Sequence, residues 1–183
     1  MYSVFGLPVH PLVVHGTVVS VPVAAVLVIT AGLWPRVRYR LVWPAVAASV
    51  LATGLVAAAA LTGGPLARRV PPSALIAHHA QLAKLLAVWV VAMTGASFAL
   101  AYAAWGRAGG GVPGWLRVPR QAVLPDWAAR AVATRLVLPV LIGLSLLTGA
   151  GTLVQVVLVG HSGAQATWST GSPVRPSSAS GHR

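Results

Sequence analysis

The chain has 183 residues, 57% of them hydrophobic and only 8% charged, with a formal net charge of +12 at pH 7. Soluble domains carry about a quarter charged residues, so this composition belongs to the membrane class. Cysteine is absent and Asp126 is the only carboxylate, which excludes disulfides, thiolate chemistry, two-carboxylate glycoside hydrolysis and carboxylate-rich calcium sites.

The first apolar run covers residues 12–33, long enough to cross a bilayer as a helix. No basic residue precedes Arg36, as a signal peptide requires, and Trp34, Arg36, Arg38, Tyr39 and Arg40 follow as a stop-transfer pattern. The run therefore reads as a retained helix. The second span covers residues 41–61 and is expected to stop at Gly63, Gly64 and Pro65. A polar connection through Arg68, Arg69, Pro71 and Pro72 leads to a third helix over residues 73–105, with Ser73 as its cap.

The first turns of the third helix carry His78, His79, Gln81 and Lys84, which belong at the interface or in the bundle. Residues 106–114 are glycine-rich but lack the Lys-Ser/Thr ending of a phosphate-binding loop, and read as a connector. Pro125 and Asp126 open an amphipathic start, and the fourth span covers residues 133–159. Residues 162–183, rich in Ser, Gly and Pro, are expected to form a disordered tail. Small residues at Ser49, Thr53 and Ala57, and at Gly95, Ala99 and Ala103, form stripes along which helices pack closely in lipid. The expected fold class is all-α, an integral membrane four-helix bundle.

Four spans place both termini and the second connection on one side. Arg36, Arg38, Arg40, Arg107, Arg117, Arg120, Arg130 and Arg135 fall on the other side, which the positive-inside rule assigns to the cytoplasm. Both termini are then extracytoplasmic. Trp34, Trp43, Trp105, Trp115 and Trp127 cluster at the same cytoplasmic interface. These arginines lie in short loops between apolar runs, so their partner is a bilayer with anionic head groups rather than nucleic acid.

Every histidine falls on the opposite face. His10 and His15 lie at the start of the first helix, His78 and His79 at the start of the third, His161 at the end of the fourth, and His182 in the tail. His15 and His79 sit inside their helices, where ionisable residues are costly and face the bundle interior. His10 precedes Pro11, which biases it toward extended backbone outside the helix. His78 and His79 point about 100° apart and do not share a centre. The leading trio is His15, His79 and His161, with His10 and His78 as weaker candidates.

The segment Gly6-Leu-Pro-Val-His10-Pro-Leu-Val-Val-His15 resembles the N-terminal signature of small bacterial membrane proteins catalogued as domain of unknown function 2231. Val159-Gly-His161-Ser-Gly-Ala164, with Trp168 after it, resembles the C-terminal signature of actinobacterial members. His79, ahead of Gln81 and Leu82, resembles the central histidine between them, so that the resemblance covers residues 5–168. It implies a multi-pass protein of the bacterial cytoplasmic (inner) membrane. The family is expected to carry acidic residues around the second connection, where this chain has Gly63, Gly64 and Gln81. The family name supplies no activity.

Three readings of the histidines follow. Two of the trio serve as axial ligands to haem b for electron transfer. Alternatively, His15, His79 and His161 form a three-nitrogen zinc or copper site with an open fourth position. The third reading is a bundle without cofactor, an accessory subunit bound to another membrane protein or a homo-oligomer. Hydrolytic chemistry is disfavoured, since Ser162 beside His161 has no acid on its side of the membrane.

Overall fold

A computed structural model describes residues 3–4, 7–68, 73–107 and 136–169. Four long helices make up nearly all of this: α1 (Val9–Leu33), α2 (Pro35–Ala67), α3 (Ala74–Arg107) and α4 (Val137–Ser169). Ahead of α1, Ser3–Val4 pairs antiparallel with Leu7–Pro8. All four helices are long and apolar enough to cross a membrane, with candidate spans of 22, 31, 31 and 30 residues against the ~20 needed.

The helices pack as two hairpins, α1 with α2 and α3 with α4. These close into a bundle through α2–α3 and α1–α4 contacts, and α1 also touches α3 across the diagonal. The starts of α1 and α3 therefore share one end of the bundle with the ends of α2 and α4. One core cluster is built on Val21, Ala25, Val28, Ala52, Val90 and Met93, and a second, toward the other end, on Ala31, Val42, Leu100 and Ala104. Large apolar side chains such as Val19, Val88, Val140 and Val157 are exposed on the outside, as lipid-facing positions require.

The first turn is tighter than expected. Instead of a basic loop before a span at residue 41, α2 starts at Pro35, so Arg36, Arg38 and Arg40 lie in its first turns. Proline is suited to the first position of a helix, and its ring cannot continue α1. Arg38 is only 7% exposed and folds back on α1, where Nε donates to the Ala31 carbonyl at 2.9 Å and Nη2 to the Gly32 carbonyl at 2.7 Å. The guanidinium thus serves carbonyls at the end of α1 that have no helical partner.

Three further helix ends differ from expectation. Gly63, Gly64 and Pro65 do not end α2, which runs on to Ala67. Gly63 is occupied by a neighbour instead: a methyl group there would lie 2.9 Å from Cε1 of His10. The fourth helix continues beyond residue 159 to Ser169, because Ser162 is a buried packing position and not the start of a tail. The third runs through Gly106 to Arg107. Ser73 does cap α3, its Oγ accepting from the Leu75 N–H at 3.3 Å. Asp126, the rest of the glycine-rich connector and residues 170–183 lie outside the described residues.

The small-residue stripes pack only in part. Ser49 is buried, and Thr53 meets Thr94 of α3 at 2.8 Å between hydroxyls. Ala57 is exposed, and nothing approaches Gly95 within 4 Å. The close approaches fall on α4: a methyl at Gly149 would press on Ile29 at 2.7 Å, and one at Gly151 would run into the Trp89 ring.

Candidate functional site

The core face of α1 repeats every seventh residue through Thr17, Ala24 and Ala31, all buried. One heptad earlier on that row stands His10. On α3 the corresponding row is Leu86, Met93 and Leu100, again buried, and one heptad earlier stands His79. Two histidines thus extend the two core rows at the same end of the bundle, on the pair of helices that face each other across the diagonal. A helix turns about 100° per residue, so His15 lies roughly 140° around α1 from His10.

Each imidazole is anchored by the second helix of its own hairpin. His10 Nδ1 lies 2.9 Å from Thr62 Oγ1, and His79 Nδ1 lies 3.0 Å from Ser162 Oγ. The Thr62 hydroxyl is placed to donate to the Ala58 carbonyl at 2.8 Å or the Ala59 carbonyl at 3.2 Å, and the Ser162 hydroxyl to the Val159 carbonyl at 3.0 Å. With its hydrogen on such a carbonyl, each hydroxyl accepts from histidine, and Nδ1 is then the ring nitrogen that donates. In that arrangement the lone pair lies on Nε2. A ligand-ready histidine has this form, with one ring nitrogen held by a protein acceptor and the other available.

Glycines make room for both rings. A methyl at Gly63 would lie 2.9 Å from His10 Cε1, and one at Gly163 would lie 3.1 Å from His79 Cε1. Burial pushes the pKa of His10 below its ordinary value of 6.5; the neighbouring charge on His79 adds to this, and the Ala59 carbonyl opposes it. His10 thus favours its neutral form. Next to the site, the buried Gln155 amide donates to the Leu82 carbonyl at 2.9 Å and ties α4 to α3.

The remaining sequence candidates are placed differently. His15, His78 and His161 are exposed, and His182 lies outside the described residues. Among the described residues no three histidine or acidic side chains come together as a metal site, so the trio of His15, His79 and His161 is not assembled. Depth along the helix suggested that trio, whereas azimuth decides which side chains meet. His10 is drawn into α1 despite Pro11. Proline within the first turn forfeits only an N–H that has no helical partner there, so the helix begins at Val9. Thr62, Gly63 as a ring seat, and the pairing of Ser162 with His79 were also missed. The seven-residue rows running back from Thr17 and Leu86 are the signal that finds both histidines.

The chain matches no protein-family model, no curated protein and no solved structure.

Proposed function

We propose that His10 and His79 hold a b-type haem at one end of a membrane-spanning four-helix bundle, and that the protein carries electrons there. One observation carries the reading: two core-row imidazoles at one end of the bundle, each with Nδ1 held by a hydroxyl of the neighbouring helix, Thr62 and Ser162. Small residues stand beside the pair on the flanking helices, Thr62, Gly63 and Gly64 on α2 and Gly160, Ser162 and Gly163 on α4. His10 and His79 would hold the haem, and the haem would supply one-electron exchange there. The protein fixes each ring through a hydroxyl, keeps His10 neutral by burial and offers apolar walls. The pair is favoured over a three-histidine zinc or copper site because His15 and His161 are exposed and, among the described residues, no three such side chains come together.

The arginine distribution supports placing the histidine end outside the cytoplasm, with Arg36 and Arg40 among anionic head groups. The resemblance to domain of unknown function 2231 supports the bacterial cytoplasmic membrane as the location and remains part of the proposal. The test is haem content per protein in a histidine series. His10→Ala and His79→Ala are expected to purify without haem, while His15→Ala and His161→Ala retain it. Equal content in all four would refute the pair.

A further inference from the structure

The two hairpins repeat one another. In each, the first helix carries a histidine one heptad before its buried core row, His10 before Thr17 and His79 before Leu86. In each, the second helix supplies a hydroxyl and then a glycine, Thr62–Gly63 and Ser162–Gly163. The rows leading to those glycines also correspond: Val42, Ser49 and Val56 on α2, Ile142, Gly149 and Val156 on α4.

The geometry repeats to a few tenths of an ångström. The Nδ1-to-hydroxyl distances are 2.9 and 3.0 Å. A methyl at Gly63 would stand 2.9, 3.5 and 3.6 Å from Cε1, Nδ1 and Nε2 of His10; at Gly163 the distances to His79 are 3.1, 3.4 and 3.9 Å. Both hairpins begin at the same end of the bundle. The relation is therefore a pseudo-two-fold rotation about an axis along the bundle, the arrangement of parallel internal repeats in membrane proteins. The connections are not part of the repeat, since Trp34 alone separates α1 from α2 and residues 108–136 separate α3 from α4 in the sequence.

We infer that the chain is a duplicated half-site: each hairpin presents one equivalent imidazole to the pseudo-two-fold axis, so that a ligand on the axis is gripped from both sides and keeps no open coordination position. This rests on the haem reading and restricts it to outer-sphere electron exchange, excluding binding of dioxygen or carbon monoxide as the task of the site. Both imidazoles stay in place as one electron enters from a reductant and leaves to a one-electron acceptor, and no bond forms or breaks. An imidazole held by a hydroxyl on one nitrogen and by its ligand on the other has little freedom to swing away.

The experiment uses the full chain purified in detergent, reduced with dithionite and exposed to carbon monoxide. The reduced spectrum is expected to remain unchanged. Thr62→Val and Ser162→Ala are expected to shift the midpoint potential upward together, because each removes the acceptor that makes its imidazole a stronger electron donor. A Soret shift on adding carbon monoxide, with haem present beforehand, overturns the closed site and leaves the haem reading standing. So does a potential that moves in one of the two variants and not in the other. A wild-type protein without haem overturns the proposed function, and this inference with it.

Discussion

Hydroxyls inside the bundle mostly donate to a carbonyl one turn back on their own helix: Thr17 to Val13, Ser49 to Ala45, Thr94 to Val90, Ser145 to Leu141 and Thr148 to Leu144. Thr152 is the exception among the described residues, with its side-chain oxygen buried and without a partner. A buried hydroxyl left unmet costs about 1–3 kcal/mol. Thr152→Val preserves the shape and removes the unmet group, so the unfolding free energy in detergent is expected to hold or to rise by about 1 kcal/mol. A clear loss would show that the hydroxyl has a partner in solution. His10 gives a second prediction at this scale. Its pKa is lowered on folding, so the unfolded chain takes up the proton first on acidification. The contribution of neutral His10 is thus present above about pH 6.5 and fades as pH falls through the lower folded value. Thermal stability of the wild type should weaken as pH falls below about 6.5, and less steeply in His10→Asn. Equal slopes would remove burial of His10 as the cause.

Among the elements, existence was legible and ends were not. Apolar length alone located all four spans, because a bilayer leaves the backbone no partner but its own helix. The ends depend on tertiary partners that composition does not display. Arg36–Arg40 read as a loop because charges interrupt the apolar run, yet Arg38 is what secures the turn, donating to both Ala31 and Gly32. Gly63 and Gly64 read as a stop, yet α2 passes through them with the His10 ring seated on Gly63. The Ser/Gly-rich composition after residue 161 read as a tail, yet buried Ser162 belongs to the bundle. Arg38→Ala leaves the Ala31 and Gly32 carbonyls without their donor and is expected to lower the unfolding free energy by about 3 kcal/mol. Arg38→Lys should recover only part of that, since an ammonium lacks the planar fork. A neutral Arg38→Ala would show that water or lipid serves those carbonyls equally well.

For the whole molecule, the four-helix membrane bundle and the gathering of histidines at one end were readable from order and charge. Which histidines meet was not, because facing depends on azimuth and on the diagonal contact of α1 with α3. His79 belongs both to the trio read from the sequence and to the proposed pair; His10, a weaker candidate in the sequence, joins it because it stands on the core row of α1. The site consequently belongs to the whole fold. His10 and Thr62 come from one hairpin and His79 and Ser162 from the other, so neither hairpin alone holds both imidazoles. The visible absorption spectrum of the purified protein, oxidised and then reduced with dithionite, tests this most directly. The account predicts a Soret band in the oxidised protein and sharpened α and β bands on reduction. A colourless protein, purified from cells that supply haem, would contradict it.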